Sequence, residues 1–83
     1  MKILYFARIR QIAGRSSEEV EVPASVSTVA QLIDFLSSRD EAVAAALSER
    51  RTLRAAVDQA HVALDAPVSG AREVAFFPPV TGG

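Results

Sequence analysis

The stretch TVAQLIDFL, residues 28–36, decides the fold, because it predicts one amphipathic helix between two groups of strands. Its large apolar residues recur at the i, i+3, i+4 and i+7 spacing of a single helix face. These residues are Val29, Leu32, Ile33 and Leu36. Thr28 stands where an N-cap is expected, and Gln31 follows at the capping-box position. The helix therefore has one apolar face that a sheet can cover.

Two strands are predicted before this helix. Residues 3–9 are rich in apolar, β-branched and aromatic side chains, which favours a strand. Its apolar groups alternate onto two faces: Ile3, Tyr5 and Ile9 on one, Leu4 and Phe6 on the other. This pattern predicts a central strand, or one whose outer face is covered. After a turn at residues 14–17, residues 18–22 alternate charged and apolar side chains, which fits a half-buried strand ended by Pro23.

A short helix and two short strands are predicted after residue 36. Asp40 is the predicted N-cap of a helix that runs to about residue 49, where Arg50 and Arg51 suit the negative end of the helix dipole. Residues 53–57 and 62–64 are short apolar runs, which predict strands. Pro67 and Gly70 then mark a loop.

The last predicted strand, Glu73–Phe77, leads directly to the C-terminus. Its period of two places Val74 and Phe76 on one face and Ala75 and Phe77 on the other, outer face. The Pro78-Pro79 pair ends the strand, because proline cannot donate to a ladder.

This order of elements predicts an α+β domain. A mixed sheet of about four to five strands, with one main helix and one short helix on one face, satisfies it. A β-grasp arrangement, in which the last strand lies beside the first, is the natural candidate, although periodicity alone does not specify strand order. We expect the domain to cover residues 1–78 and a flexible Gly-Gly tail to cover residues 79–83.

Composition excludes several classes of function. Of the 83 residues, 49% are hydrophobic and 23% charged, and the net charge is −1, with no basic stripe of the kind that binds nucleic acid. There is no cysteine, and the lone His61 cannot form a metal site by itself. No apolar run approaches the roughly 18 residues of a membrane span, and no signal peptide is recognisable. We therefore expect a cytoplasmic protein that binds neither nucleic acid nor membranes.

The terminal Gly82-Gly83 pair is the most unusual feature of the sequence. Two terminal glycines arise by chance roughly once in 200 chains, which is suggestive but not decisive. A frayed, flexible end is the alternative interpretation. The four residues after the prolines can span about 13 Å at about 3.3 Å each, and the two glycines would fit a narrow channel. A carboxylate is a poor electrophile that needs activation, for instance by adenylation. The chain has neither a P-loop nor a G-x-G-x-x-G turn, so a partner enzyme would have to adenylate it.

Three segments resemble the small subunit of molybdopterin synthase. The opening segment is LYFARIRQIAG, residues 4–14, and the closing segment is EVAFFPPVTGG, residues 73–83. The short segment AAVD, residues 55–58, is similar to the third-strand region of that family. The resemblance covers the whole chain, and the pairing of both end segments is far more specific than Gly-Gly alone.

This resemblance implies a ubiquitin-like β-grasp sulfur carrier of molybdenum cofactor biosynthesis. An E1-like adenylyltransferase would use ATP to adenylate Gly83, which would then become a thiocarboxylate, and the chain itself would bind no cofactor. The tail would enter the large subunit and give sulfur to cyclic pyranopterin monophosphate, within a heterotetramer. The family positions that match are the carrier Gly83, the tail residues Pro79, Val80, Thr81 and Gly82, and the partner-facing Phe77 and Arg10.

Other interpretations remain open at the level of sequence. The chain could carry sulfur for thiamine or sulfur amino acid synthesis, although Phe-Pro-Pro before the tail favours molybdopterin synthase. It could also be a ubiquitin-like modifier of lysines or an interaction domain. Phe77 could be an edge aromatic under a loop, and Arg10 a solvated arginine. The sequence departs from the family at residues 69–72 and at Asp58, where asparagine is common, and both positions are expected to lie away from the tail.

Overall fold

A five-stranded mixed sheet is the frame of the protein in the computed structural model, which describes residues 1–79. In chain order, the elements of this part are β1 (Lys2–Tyr5), α1 (Ala7–Ala13), β2 (Ser17–Glu19), α2 (Val29–Arg39), α3 (Glu41–Ala46), β3 (Arg54–Val57), β4 (Ala60–Val62) and β5 (Glu73–Phe77).

The strands lie in the order β2-β1-β5-β3-β4. β1 pairs parallel with β5, so that Lys2 lies opposite Glu73 and Tyr5 opposite Phe76. The other three pairings are antiparallel. The first and last strands are therefore neighbours near the middle of the sheet, and the predicted α+β, β-grasp arrangement is confirmed.

The hydrophobic core lies between one face of the sheet, here called the inner face, and the helices. The inner face supplies fully or almost fully buried side chains from the central strands: Ile3, Tyr5, Ala55, Val74 and Phe76. The opposing core residues of α2 are Val29, Leu32, Ile33 and Leu36, each at most 1% exposed. Burial of apolar surface is the main favourable contribution to folding, so the stripe that predicted α2 is also its anchor.

The N-terminus of α2 has the predicted capping box. The Thr28 hydroxyl accepts a hydrogen bond from the Gln31 backbone N–H at 3.2 Å, and the Gln31 side-chain oxygen accepts one from the Thr28 N–H at 3.2 Å. Both bonds satisfy donors that a helix start otherwise leaves without partners.

The prediction of a strand over residues 3–9 is wrong beyond Tyr5. Phe6 is still extended and is the N-cap of α1, and the chain changes direction at Ala7, which has a φ of 53°. Ile9 and Ala13 of α1 are buried one helical turn apart. Gly14 ends α1 in the left-handed region at φ 77°, and its N–H donates to the Arg10 carbonyl. The prediction failed because Ile9 continues the alternation of Ile3 and Tyr5, although the same residue also fits a helix.

Several predicted boundaries move because local pairing decides them. β2 ends at Glu19 rather than at residue 22, because its partner strand β1 begins at Lys2, directly opposite Glu19. The Val20 N–H still donates to the Met1 carbonyl, and beyond it the chain has no partner residue left. β3 begins at Arg54 rather than Leu53. β4 spans Ala60–Val62 rather than residues 62–64.

The position of β4 follows from the tight turn that precedes it. Asp58 and Gln59 have φ values of 47° and 72°, and Val57 lies opposite Ala60. Two consecutive residues with positive φ form the kind of two-residue turn that matches strand twist. The hairpin therefore closes within two residues, instead of the four between the predicted strands.

The second predicted helix begins as expected and ends early. The Asp40 carboxylate accepts hydrogen bonds from the N–H groups of Ala42 and Val43, at 2.8 and 3.2 Å, as an N-cap does. α3 ends at Ala46, so Arg50 is not at its C-terminus and instead pairs with Asp34 of α2.

Candidate functional site

The end of β5 brings the chain to the C-terminal tail. Phe77 is the last residue of β5, and Pro78 and Pro79 follow it with both side chains partly buried. The predicted tail residues Val80, Thr81, Gly82 and Gly83 lie outside the described residues, and their roles remain predictions. We call the end of the sheet at which β5 ends, after Phe77, the tail-exit end.

The second face of the sheet, here called the outer face, is opposite the helical core. Strand alternation and register assign to it Leu4 of β1, Ala75 and Phe77 of β5, Arg54 and Ala56 of β3, and His61 of β4. Phe77 is partly buried, whereas its neighbour Phe76 is fully buried in the core. The predicted division of β5 into an inner and an outer face is confirmed.

Two polar residues of the outer face surround Phe77. Arg54 lies directly opposite Phe77 in the β3–β5 ladder. The His61 ring packs against the Phe77 ring, with centroids 5.1 Å apart and planes tilted by 52°. Phe77 is therefore an aromatic side chain of a central strand, with polar residues beside it on the outer face.

Phe6 adds a second aromatic side chain at the tail-exit end. Its N–H donates to the Phe76 carbonyl at 3.1 Å, and this bond holds the start of α1 beside the end of β5. The Phe6 side chain is 46% exposed. Sequence reasoning placed Phe6 inside a strand, and only the turn into α1 leaves it at the surface.

Arg10 lies on α1, which contacts β5. Its side chain is exposed, and its position in the last turn suits the negative end of the helix dipole. The structure therefore brings Arg10 and Phe77 onto contacting elements, which is compatible with both the partner-facing and the solvated interpretation.

Asp58 stabilises the opposite end of the sheet. Its carboxylate oxygen accepts hydrogen bonds from the backbone N–H groups of Arg72 and Glu73, at 2.9 and 3.0 Å. These bonds join the β3–β4 turn to the start of β5. The two departures from the family pattern, at Asp58 and at residues 69–72, thus both lie away from the tail-exit end, as predicted.

The described part of the chain offers little for other kinds of chemistry. Among residues 1–79, no group of three or more His, Cys, Asp or Glu side chains could hold a metal ion. No helix in the same range is long and apolar enough to cross a membrane.

The sheet order and the C-terminal strand that leads to a Gly-Gly terminus define a ubiquitin-like β-grasp protein. Within that class, the chain belongs to the ThiS family, which matches residues 3–83. The "Molybdopterin synthase sulfur carrier subunit" of Escherichia coli is 41% identical over 83 residues, covering 100% of this chain and 99% of the relative. The protein of the same name from Haemophilus influenzae is 31% identical, with the same coverage.

Solved structures show the same fold. A Pyrococcus furiosus protein described as molybdopterin converting factor, subunit 1, superimposes with a TM-score of 0.72 at 32% identity, covering 95% of each chain. SAMP1 from Haloferax volcanii has a TM-score of 0.72 at 25% identity, covering 99% of this chain and 97% of the other. The resemblance of the end segments to the molybdopterin synthase small subunit is confirmed over the full length.

Proposed function

We propose that this protein is the sulfur carrier subunit of a molybdopterin synthase. The observation that carries the proposal is the full-length similarity, 41% over 83 residues, to a relative named for that role. The geometry of β5 supports it, because the last strand ends at Phe77, next to the sequence that forms the tail. The chain would act as the sulfur-donating subunit of a complex rather than as an enzyme by itself.

The reactive group in this proposal is the Gly83 carboxylate. Its oxygen attacks the α-phosphorus of ATP, which a partner of the E1-like adenylyltransferase type binds, and pyrophosphate leaves. A sulfur nucleophile then displaces AMP from the acyl carbon and leaves a thiocarboxylate. The sulfur passes to cyclic pyranopterin monophosphate in the large subunit, and water restores the carboxylate. Two sulfur atoms per product require two such deliveries.

The residues before Gly83 have a positioning role in this scheme. Pro79, Val80, Thr81 and Gly82 form the segment that enters the partner, where the absence of a side chain on Gly82 suits a narrow channel. Phe77 lies at the base of this segment on the outer face, and Arg10 lies on the adjoining helix. A partner that takes up the tail must approach these residues. We therefore propose that the surface of this chain to which the large subunit binds is at the tail-exit end.

The direct test is the intact mass of the protein after incubation with an E1-like adenylyltransferase, ATP and a sulfur donor. We expect the mass change of one oxygen replaced by sulfur, at the C-terminal residue. A variant that lacks Gly83 is the control: it should fold as the full chain does and should not gain sulfur. If the full chain retains its carboxylate under these conditions, the carrier proposal is refuted.

The pathway is tested separately from the chemistry. The thiocarboxylated chain should convert cyclic pyranopterin monophosphate to molybdopterin when the large subunit of the same organism is added. Sulfur transfer to thiazole-synthesis enzymes, without conversion of cyclic pyranopterin monophosphate, would assign the carrier to thiamine synthesis instead. Isopeptide adducts on lysines of other proteins, without sulfur transfer, would identify a modifier instead.

A further inference from the structure

The register of the sheet places Phe77 beside Arg54. The two residues are directly opposite in the β3–β5 ladder, and both belong to the outer face. Directly opposite side chains in such a ladder have Cβ atoms about 5 Å apart. A partner surface that covers the Phe77 ring therefore comes close to the Arg54 side chain as well.

Arg54 forms no ion pair with a carboxylate within residues 1–79. The ion pairs found there use Arg15, Arg39, Arg50 and the terminal amine as cations, and Arg54 is in none of them. Its side chain is exposed and donates one hydrogen bond, from Nη1 to the Leu53 carbonyl at 3.3 Å. Most of the five guanidinium donors are thus available to a partner.

The charges of the outer face are distributed unevenly. Its carboxylates, Glu19 and Glu73, lie opposite Lys2 at the end of the sheet away from the tail. The tail-exit end of the same face has Arg54 beside Phe77, and the neighbouring polar side chain is His61. Neither glutamate is opposite Arg54: Glu73 is at the other end of β5 from Phe77, and Glu19 is on β2.

Covering Arg54 without a counter-charge would be unfavourable. A guanidinium that loses its water without a new partner carries a large desolvation cost. A carboxylate offsets that cost well, because its two oxygens match the planar fork of arginine in a bidentate pair. An aromatic ring beside an arginine is also the composition typical of the few residues that dominate binding energy.

We propose that the protein that takes up the tail presents a carboxylate to Arg54, next to an apolar pocket that receives the Phe77 ring. This inference rests on the proposed function, which requires such a partner. It adds a charge requirement on the partner surface and makes Arg54 a specificity-determining residue of the docking surface.

The test is the affinity for the molybdopterin synthase large subunit of the same organism, measured by titration calorimetry. Arg54→Gln should weaken binding about 10-fold to 100-fold, as expected when one charge-assisted pair is lost. Arg54→Glu should weaken it further through repulsion, and Arg54→Lys, which keeps the charge but not the fork, should lie between Arg54→Gln and the unmodified chain.

Lys2→Gln is the matched control. Lys2 is exposed and lies on the outer face by the same alternation, and its substitution removes the same unit of charge at the opposite end of the sheet. We expect its affinity to stay within about twofold of the unmodified chain, because that end lies beyond the contact and is screened. Thermal unfolding of each variant shows whether a change in affinity reflects lost folding instead.

The outcomes separate this inference from the proposed function. If the unmodified chain binds the large subunit and Arg54→Gln binds equally well, or no worse than Lys2→Gln, the carboxylate at Arg54 is refuted and the carrier role stands. If the unmodified chain does not bind the large subunit, the proposed function is refuted and the inference falls with it. Restoration of Arg54→Glu binding by an acidic-to-arginine substitution on the large subunit would identify the carboxylate.

Discussion

Two adjacent phenylalanines allow stability and function to be separated by single substitutions. Phe76 is fully buried in the core, and its ring stacks on that of Tyr5, with centroids 6.4 Å apart. Phe77 is partly buried on the outer face. We expect Phe76→Ala to lower the free energy of unfolding far more than Phe77→Ala, and Phe77→Ala to lower the affinity for the large subunit.

The magnitudes follow from burial. Truncation of a fully buried phenylalanine to alanine costs about 3–5 kcal/mol, the sum of lost transfer energy and the cavity left behind. Full burial of a phenylalanine contributes about 1.5–3 kcal/mol, and Phe77 is only partly buried, so its loss should cost about 1 kcal/mol. A domain of this length has a total stability of about 4–12 kcal/mol, so Phe76→Ala could remove most of it. Phe76→Leu is the milder core variant for binding assays.

The assay is urea unfolding followed by circular dichroism. With a slope of about 1 kcal/mol/M for a domain of this size, Phe77→Ala should lower the midpoint by about 1 M and Phe76→Ala by about 3 M or more. In calorimetry with the large subunit, Phe77→Ala should weaken binding about 30-fold, the scale of an aromatic hot spot, while folded Phe76→Leu binds as the unmodified chain does. Equal destabilisation by Phe76→Ala and Phe77→Ala would refute the assignment of Phe77 to the outer face.

Three further predictions concern the body of the domain. Thr28→Ala should lower the free energy of unfolding by about 1 kcal/mol, since one half of the capping box is lost; an unchanged urea midpoint would contradict this. Asp58→Asn should change the urea midpoint less than Asp58→Ala, because asparagine keeps an oxygen acceptor for the N–H groups of Arg72 and Glu73 and tolerates positive φ; equal effects would contradict it. Burial, and then the hydrogen bond to Glu18, raise the pKa of Tyr5 above its ordinary value of 10.0. The neutral phenol therefore contributes its full stabilisation below about pH 10. This contribution is lost as the pH rises through the higher pKa of the folded state. Urea midpoints above pH 10 should therefore fall less steeply for Tyr5→Phe than for the unmodified chain, and parallel slopes would contradict this.

Much of the fold could be predicted because its signals are local. The stripe of α2 and its capping box depend on side chains within two helical turns, and both are confirmed. β5 was predicted with its observed bounds, since alternation inside five residues and the following proline pair specify them. The α1 helix was missed because Ile9 fits both the period of a strand and that of a helix, and the choice depends on the change of direction at Ala7.

The candidate site divides in the same way. The sequence by itself determined the closing Gly-Gly pair and the family, because these are properties of residue identity and order. The grouping of Arg54, His61 and Phe77 was decided only by the tertiary structure. Their pairing depends on which strands are neighbours and on the register set by the Asp58-Gln59 turn. Strand order and register are set by contacts between residues distant in the chain, and a shift of one residue would move each side chain to the other face.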